Sequence, residues 1–170
     1  MEIDLKKIKS KNVNKHFCKP RRSMIQCVMI DNTVIILKHH EKEKYYNNEK
    51  KIYLLLQDES FTPELKYFDD KNLILGLTDC GDALPIYSNK NKNFSLRNYD
   101  QELTEIIDKL ENKYNLYHND LRPKNICINE KNNIMLIDFD DTSSTSLEYK
   151  YIFRKKIHSF NAFYKKKDTI

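Results

Sequence analysis

Two short apolar runs rich in branched residues, 24–30 and 33–37, flank Asp31-Asn32 and predict a β-hairpin. Alternation along the second run puts Val34, Ile36 and Lys38 on one face. Over 41–56 the period becomes helical, with Tyr45, Glu49, Ile52 and Leu56 on one stripe. Phe61-Thr62-Pro63 interrupts that helix. Residues 65–68 and 73–77 predict another hairpin, turning at Asp69-Asp70-Lys71-Asn72. The polar stretch 82–97, with its run Asn89-Lys90-Asn91-Lys92-Asn93, predicts a loop. From Asn98 the pattern is helical again. Leu103, Ile106, Ile107, Leu110 and Tyr114 form the stripe, and Asp100 and Glu102 suit the positive end of the helix dipole. Short apolar runs at 126–128 and 134–137 predict strands around 129–133, and 147–166 carries Phe153, Ile157, Phe160 and Tyr164 at helical spacing, a stripe expected to be core.

One position conflicts with this pattern. Glu49 falls among the core-facing positions of 41–56, where an unpaired carboxylate would suffer desolvation. A salt bridge to Lys38 resolves the conflict; Glu43 is the alternative partner and Glu41 a weaker one.

The chemistry-bearing stretch is Tyr117-His118-Asn119-Asp120-Leu121-Arg122-Pro123-Lys124-Asn125, followed by the apolar run 134–137 that ends in Asp138-Phe139-Asp140. Asn125 lies five residues after Asp120, and Asp138 eighteen after it. In residue types, order and spacing these pieces resemble the catalytic loop H-R-D-L-x-x-x-N and the metal-binding D-F-G of the protein-kinase superfamily. The resemblance covers residues 24–141. It implies an α+β, reduced bilobal kinase-like fold: an antiparallel sheet lobe with one helix over 1–78, and a truncated, mainly helical lobe over 79–170. It also implies ATP and Mg2+ as cofactors. By the same resemblance Asp120 accepts the proton of the attacking hydroxyl and Arg122 stands beside the γ-phosphate. Asn125 and Asp138 supply the hard oxygen ligands that magnesium takes. Lys38, in V-I-I-L-K, matches the lysine that pairs with the α- and β-phosphates, with Glu49 as its partner. Thr78-Asp79-Cys80-Gly81 is similar to the segment whose backbone binds the adenine edge, which makes Asp79 and Gly81 nucleotide-binding candidates.

Three features depart from the family. The chain has two glycines, Gly76 and Gly81, so it contains no G-x-G-x-x-G. Ser10-Lys11-Asn12-Val13-Asn14-Lys15 is the candidate for a glycine-free substitute. Asp140 stands where the family has a glycine with freedom at positive φ. Nothing resembling A-P-E follows Asp141. The leading expectation is a protein serine/threonine kinase, since Arg122-Pro123 occupies the place of the usual Lys-Pro. The D-F-D ending also resembles aminoglycoside phosphotransferases and lipopolysaccharide kinases, which makes a small-molecule or sugar kinase the alternative. A pseudokinase acting as a regulatory module is the third reading, and the presence of Lys38, Asp120, Asn125 and Asp138 argues against it.

Composition adjusts this picture only at the edges. The 39% of hydrophobic residues is enough for a core and too much for a disordered chain. A net charge of +5 is a mild excess, and only five of the 30 basic residues are arginine, which argues against a nucleic-acid partner. The lysine excess suits solubility or an acidic substrate or partner, and the expected acceptor is a protein. Cys18, Cys27, Cys80 and Cys127 form no C-x-x-C pair, so reduced thiols are expected. No apolar run is long enough to span a membrane, and Met1-Glu2-Ile3-Asp4-Leu5-Lys6 has no secretory character. A cytoplasmic protein without a membrane partner is expected, in the host cytoplasm if the lysine-, asparagine- and isoleucine-rich composition is that of a virus.

Overall fold

The structure, a computed structural model, describes residues 23–91 and 93–145. The stretch 10–15 and the helix expected over 147–166 lie outside the described residues.

Strands β1 (Ser23–Ile30) and β2 (Thr33–His40) form the first hairpin. Asp31 and Asn32 take φ values of 48° and 63°, the left-handed pair that a two-residue hairpin turn needs to match strand twist. β2 runs further than its apolar residues suggest, because Lys38 pairs with Ile25 on one side and Leu75 on the other. Strands β3 (Leu65–Asp69) and β4 (Ile74–Thr78) complete an antiparallel sheet in the order β1-β2-β4-β3. At their turn the Asp69 carboxylate accepts the backbone N–H groups of Lys71 and Asn72, at 3.0 and 2.9 Å.

The two faces of β2 do different jobs. Ile35 and Leu37 join Val28 and Ile74 in an apolar cluster, with Ile30 and Tyr67 packed against it. The alternate positions carry Lys38 and His40, both buried. Helix α1 (Glu43–Leu55) packs on this sheet and buries Tyr46, Glu49, Ile52 and Tyr53. Its inward stripe therefore starts at Tyr46, which is fully buried, and not at Tyr45. The spacing 46, 49, 53, 56 follows the i, i+3/i+4 rule as well as the set that begins at 45, so periodicity alone does not separate them.

The second group of elements comprises β5 (Asp82–Ala83), α2 (Leu84–Lys90), α3 (Asp100–Tyr114), β6 (Ile126–Ile128) and β7 (Ile134–Leu136). The strands pair antiparallel in the order β5-β6-β7, so among the described residues this part carries a small sheet besides its two helices. The loop expected over 82–97 is corrected here. Asp82 and Ala83 pair with Ile128 and Cys127, and a helix starts at once behind them. Leu84 is fully buried, and Pro85 in the first turn costs no hydrogen bond because that N–H has no helical partner. A polar composition masks both devices. Helix α3 ends as its sequence allows: Asn115 adopts φ 51°, and the N–H of Leu116 reaches back to the carbonyl of Leu110 at 2.9 Å.

Contacts group the described residues into two units. The first runs to Cys80 and includes Asp138–Asp140; the second holds Gly81–Ile137 and the residues from Asp141 on. The boundary thus falls two residues after the one expected at 78/79, and Asp138–Asp140 belong with the earlier residues. Among the described residues no helix is long and apolar enough to cross a membrane.

Gly81 opens the second unit at φ 84°, and a Cβ there would lie 2.1 Å from the carbonyl oxygen of Ile128. Two penalties would coincide on substitution, a left-handed backbone and a collision with backbone that cannot rotate away. Gly81→Ala is expected to destabilise the protein by more than the ~1 kcal/mol of a left-handed L-residue alone. A urea unfolding midpoint equal to that of wild type would refute this.

Candidate functional site

In the first unit the site is built around Lys38. Its ammonium lies 2.6 Å from Glu49 Oε2 and 2.6 Å from Asp138 Oδ1. The β2 strand aims Lys38 at α1, and the buried stripe of α1 presents Glu49 to it. Glu43, the alternative, sits on the exposed face and accepts a side-chain hydrogen bond from Asn47 at 3.4 Å; Glu41 is exposed. Glu49 is wholly buried and gathers three donors. Lys38 and the His40 ring, at 2.6 Å, share Oε2, and the N–H of Phe139 donates to Oε1 at 3.2 Å.

Helix α1 grips the D-F-D segment through further contacts. The Asn48 side-chain amide donates to the carbonyls of Phe139 and Asp140, at 3.4 and 3.0 Å. The rings of Tyr53 and Phe139 meet edge to face, with centroids 5.3 Å apart. Asp138 is held at φ 70°, a conformation L-residues adopt at a cost of about 1 kcal/mol. That strain is tolerated because Glu49, Asn48 and Tyr53 of α1 hold the residues that follow. The left-handed residue of this segment is Asp138; Asp140 is buried within a single 3-10 turn, Phe139–Asp141. Asp140 thus stands as a turn residue.

Charge balance explains why this cluster is stable when buried. Burial disfavours the Lys38 ammonium, but the two carboxylates overcome that and raise its pKa above the ordinary value. Burial likewise opposes ionised Glu49, and the Lys38 charge with the His40 hydrogen bond overcomes it, so its pKa is lowered. Burial next to Glu49, Cys80 and Asp138 raises the Tyr53 phenol well above its usual range, which keeps it neutral.

In the second unit the loop before β6 arranges the other candidates. Asn125, almost fully buried, donates its side-chain amide to the Asp120 carbonyl at 2.8 Å and to Asp120 Oδ2 at 3.1 Å. With the NH₂ group committed to Asp120, the Oδ1 of Asn125 is left as the acceptor. The Arg122 guanidinium pairs with the same Asp120 Oδ2, so here it engages the candidate base itself. Asp120 retains partial exposure, 19% of its side chain. Buried His118 bonds through Nε2 to the carbonyl of Ile137 at 3.0 Å, and the Ile137 N–H donates to the Asn125 carbonyl at 3.1 Å. These bonds tie the loop to the end of the β6–β7 hairpin.

Asp79 is exposed, beyond the end of β4, and Gly81 is shaped by its close approach to Ile128. That packing accounts for the glycine without a ligand. Among the described residues no group of three or more His, Cys, Asp and Glu is placed to hold a metal ion. Magnesium does not require one, since it is commonly held by one or two carboxylates together with substrate phosphates. Asp138, with 26% of its side chain exposed, and Asn125 have the hard oxygen chemistry for that role.

No family model matches the chain, and no curated protein matches it.

Two residues of the site were missed in the sequence. His40 lies two positions after Lys38, and period 2 in a strand puts both on one face; that signal was present. Asn48 precedes Glu49 on α1 and bonds backbone carbonyls some 90 positions away, which no local pattern could reveal.

By the resemblance of the 117–125 stretch, Asn119 is expected to stand where kinases switched by phosphorylation usually carry arginine. Held at φ 58°, it donates its amide to the Asp141 carbonyl at 3.1 Å and to Ser143 Oγ at 2.8 Å. A neutral side chain thus secures the following segment without a phosphate. Phosphatase treatment is expected to leave activity unchanged, and loss of activity on treatment would refute this.

Proposed function

We propose that the chain is an ATP- and magnesium-dependent phosphotransferase with a reduced kinase-like fold, acting on serine or threonine of a protein acceptor. The observation that carries the reading is the buried Lys38 ammonium held between Glu49 and Asp138. A lysine so placed keeps its charge, the property needed to orient phosphates. Asp138 and Asn125 would hold magnesium, which neutralises phosphate charge when bound. In phosphoryl transfer the protein contributes positioning and electrostatics more than covalent chemistry. Asp120 would take the proton of the acceptor hydroxyl, oriented by Asn125, and Arg122 would exchange its pairing with Asp120 for the transferring phosphate. The lysine excess in the composition suits an acidic protein acceptor.

The test is transfer from γ-labelled ATP with magnesium, using purified protein, a panel of protein acceptors and a panel of aminoglycosides and sugars. Label on protein, lost in Asp138→Ala, is the expected result. Label on the small molecules alone would shift the acceptor class. Binding of nucleotide without transfer to any acceptor would overturn the reading in favour of a regulatory module.

A further inference from the structure

We infer that His40 is a positioning residue, the fixed hydrogen-bond donor that holds the Glu49 carboxylate in place while Lys38 is shared with Asp138. The inference rests on the reading of Lys38 as the phosphate-orienting cation, but its geometry stands apart from that reading. Glu49 has no exposure, so its carboxylate depends wholly on protein donors. One of these, Lys38, is a long side chain drawn equally by a second carboxylate, Asp138 Oδ1, also at 2.6 Å. If Lys38 moves towards Asp138 or any other anion, Glu49 Oε2 keeps a partner only because His40 Nε2 is there at 2.6 Å.

The His40 ring is built not to move. Its side chain is 1% exposed and lies edge-on to the Tyr46 ring, with centroids 5.7 Å apart. Tyr46 is itself anchored by its hydroxyl to Asp70 at 2.5 Å. The His40 backbone N–H donates to the Leu73 carbonyl at 2.9 Å, fixing the strand end that carries the ring. Glu49 in turn reaches the N–H of Phe139 through its other oxygen, so a carboxylate held by His40 also holds the residue after Asp138. His40 touches none of the proposed reacting groups; it acts through Glu49.

The decisive readout is amide hydrogen exchange in the free protein, because the Phe139 N–H reports the orientation of Glu49. His40→Leu keeps an apolar volume but removes the donor, whereas His40→Gln restores an N–H. Loss of a hydrogen bond to a charged group predicts that Phe139 exchanges about ten- to a hundred-fold faster in His40→Leu. Leu37 and Leu75, in the sheet, should be unchanged, and His40→Gln should behave as wild type. Unchanged Phe139 exchange, equal loss in both variants, or loss at all amides together would each overturn the inference. If His40→Leu does not fold, the wild-type protein still decides: the His40 ring N–H must give a slowly exchanging resonance, and a fast-exchanging one would refute the role. In the labelled-ATP assay, KM for ATP should rise about ten-fold in His40→Leu, with a smaller effect on kcat. Wild type without transfer but with the expected exchange pattern would sink the kinase reading and leave the role of His40 standing. Transfer with the exchange pattern absent would do the reverse.

Discussion

Replacing Asp120 with asparagine is expected to slow phosphoryl transfer about 10²–10⁴-fold, the usual worth of a positioned general base. The substitution is chosen because little else should change. The Asn125 amide bonds the Asp120 backbone carbonyl at 2.8 Å, which any residue provides, and an asparagine oxygen can still accept its second bond. What disappears is the carboxylate's basicity and its ion pair with Arg122. That pair is partly solvated and contributes little to stability. Nucleotide affinity, measured with a fluorescent ATP analogue, should therefore stay close to wild type while single-turnover transfer collapses. Turnover at the wild-type rate would remove Asp120 from the mechanism.

Glu49→Ala should produce the largest loss of stability. The change leaves buried His40 and the Phe139 N–H without their acceptor and Lys38 with one carboxylate in place of two. Breaking a buried charge pair by removing one partner typically costs about 3–5 kcal/mol. The effect has a defined pH dependence. Because the folded pKa of Glu49 lies below its ordinary 4.5, its contribution is present above that pH and fades as pH falls through the folded value. Lys38 is shifted upward from 10.5, so its share is present below that pH and is lost only as pH rises through the folded value. Urea unfolding of wild type and variant should thus differ most near neutrality and converge in acid. A difference below about 1 kcal/mol at pH 7 would mean that the network is not the buried, charged one described here.

Much of the fold was legible in the order of residues because strands and helices announce themselves through period. The first hairpin, with Asp31-Asn32 at its turn, and the stripe Leu103, Ile106, Leu110 of α3 follow from local spacing alone. The pairing of Lys38 with Glu49 was legible for a different reason. A carboxylate on a core-facing stripe demands a cation, and the resemblance of V-I-I-L-K to the kinase strand pointed to Lys38.

Other features depended on contacts between residues distant in the chain. Residues 82–90 form a strand and a helix because β6 supplies Asp82 and Ala83 with hydrogen-bond partners, and nothing in that polar stretch announces β6. Gly81 is required by a carbonyl 47 positions away, so its reason cannot be read from its neighbours. The strained backbone falls on Asp138, not Asp140, because Glu49 and Asn48 fix the segment from α1. Period tells which face a side chain occupies; only packing decides which buried charges and carbonyls meet there, since desolvation is set by what surrounds a group and not by what adjoins it in the chain.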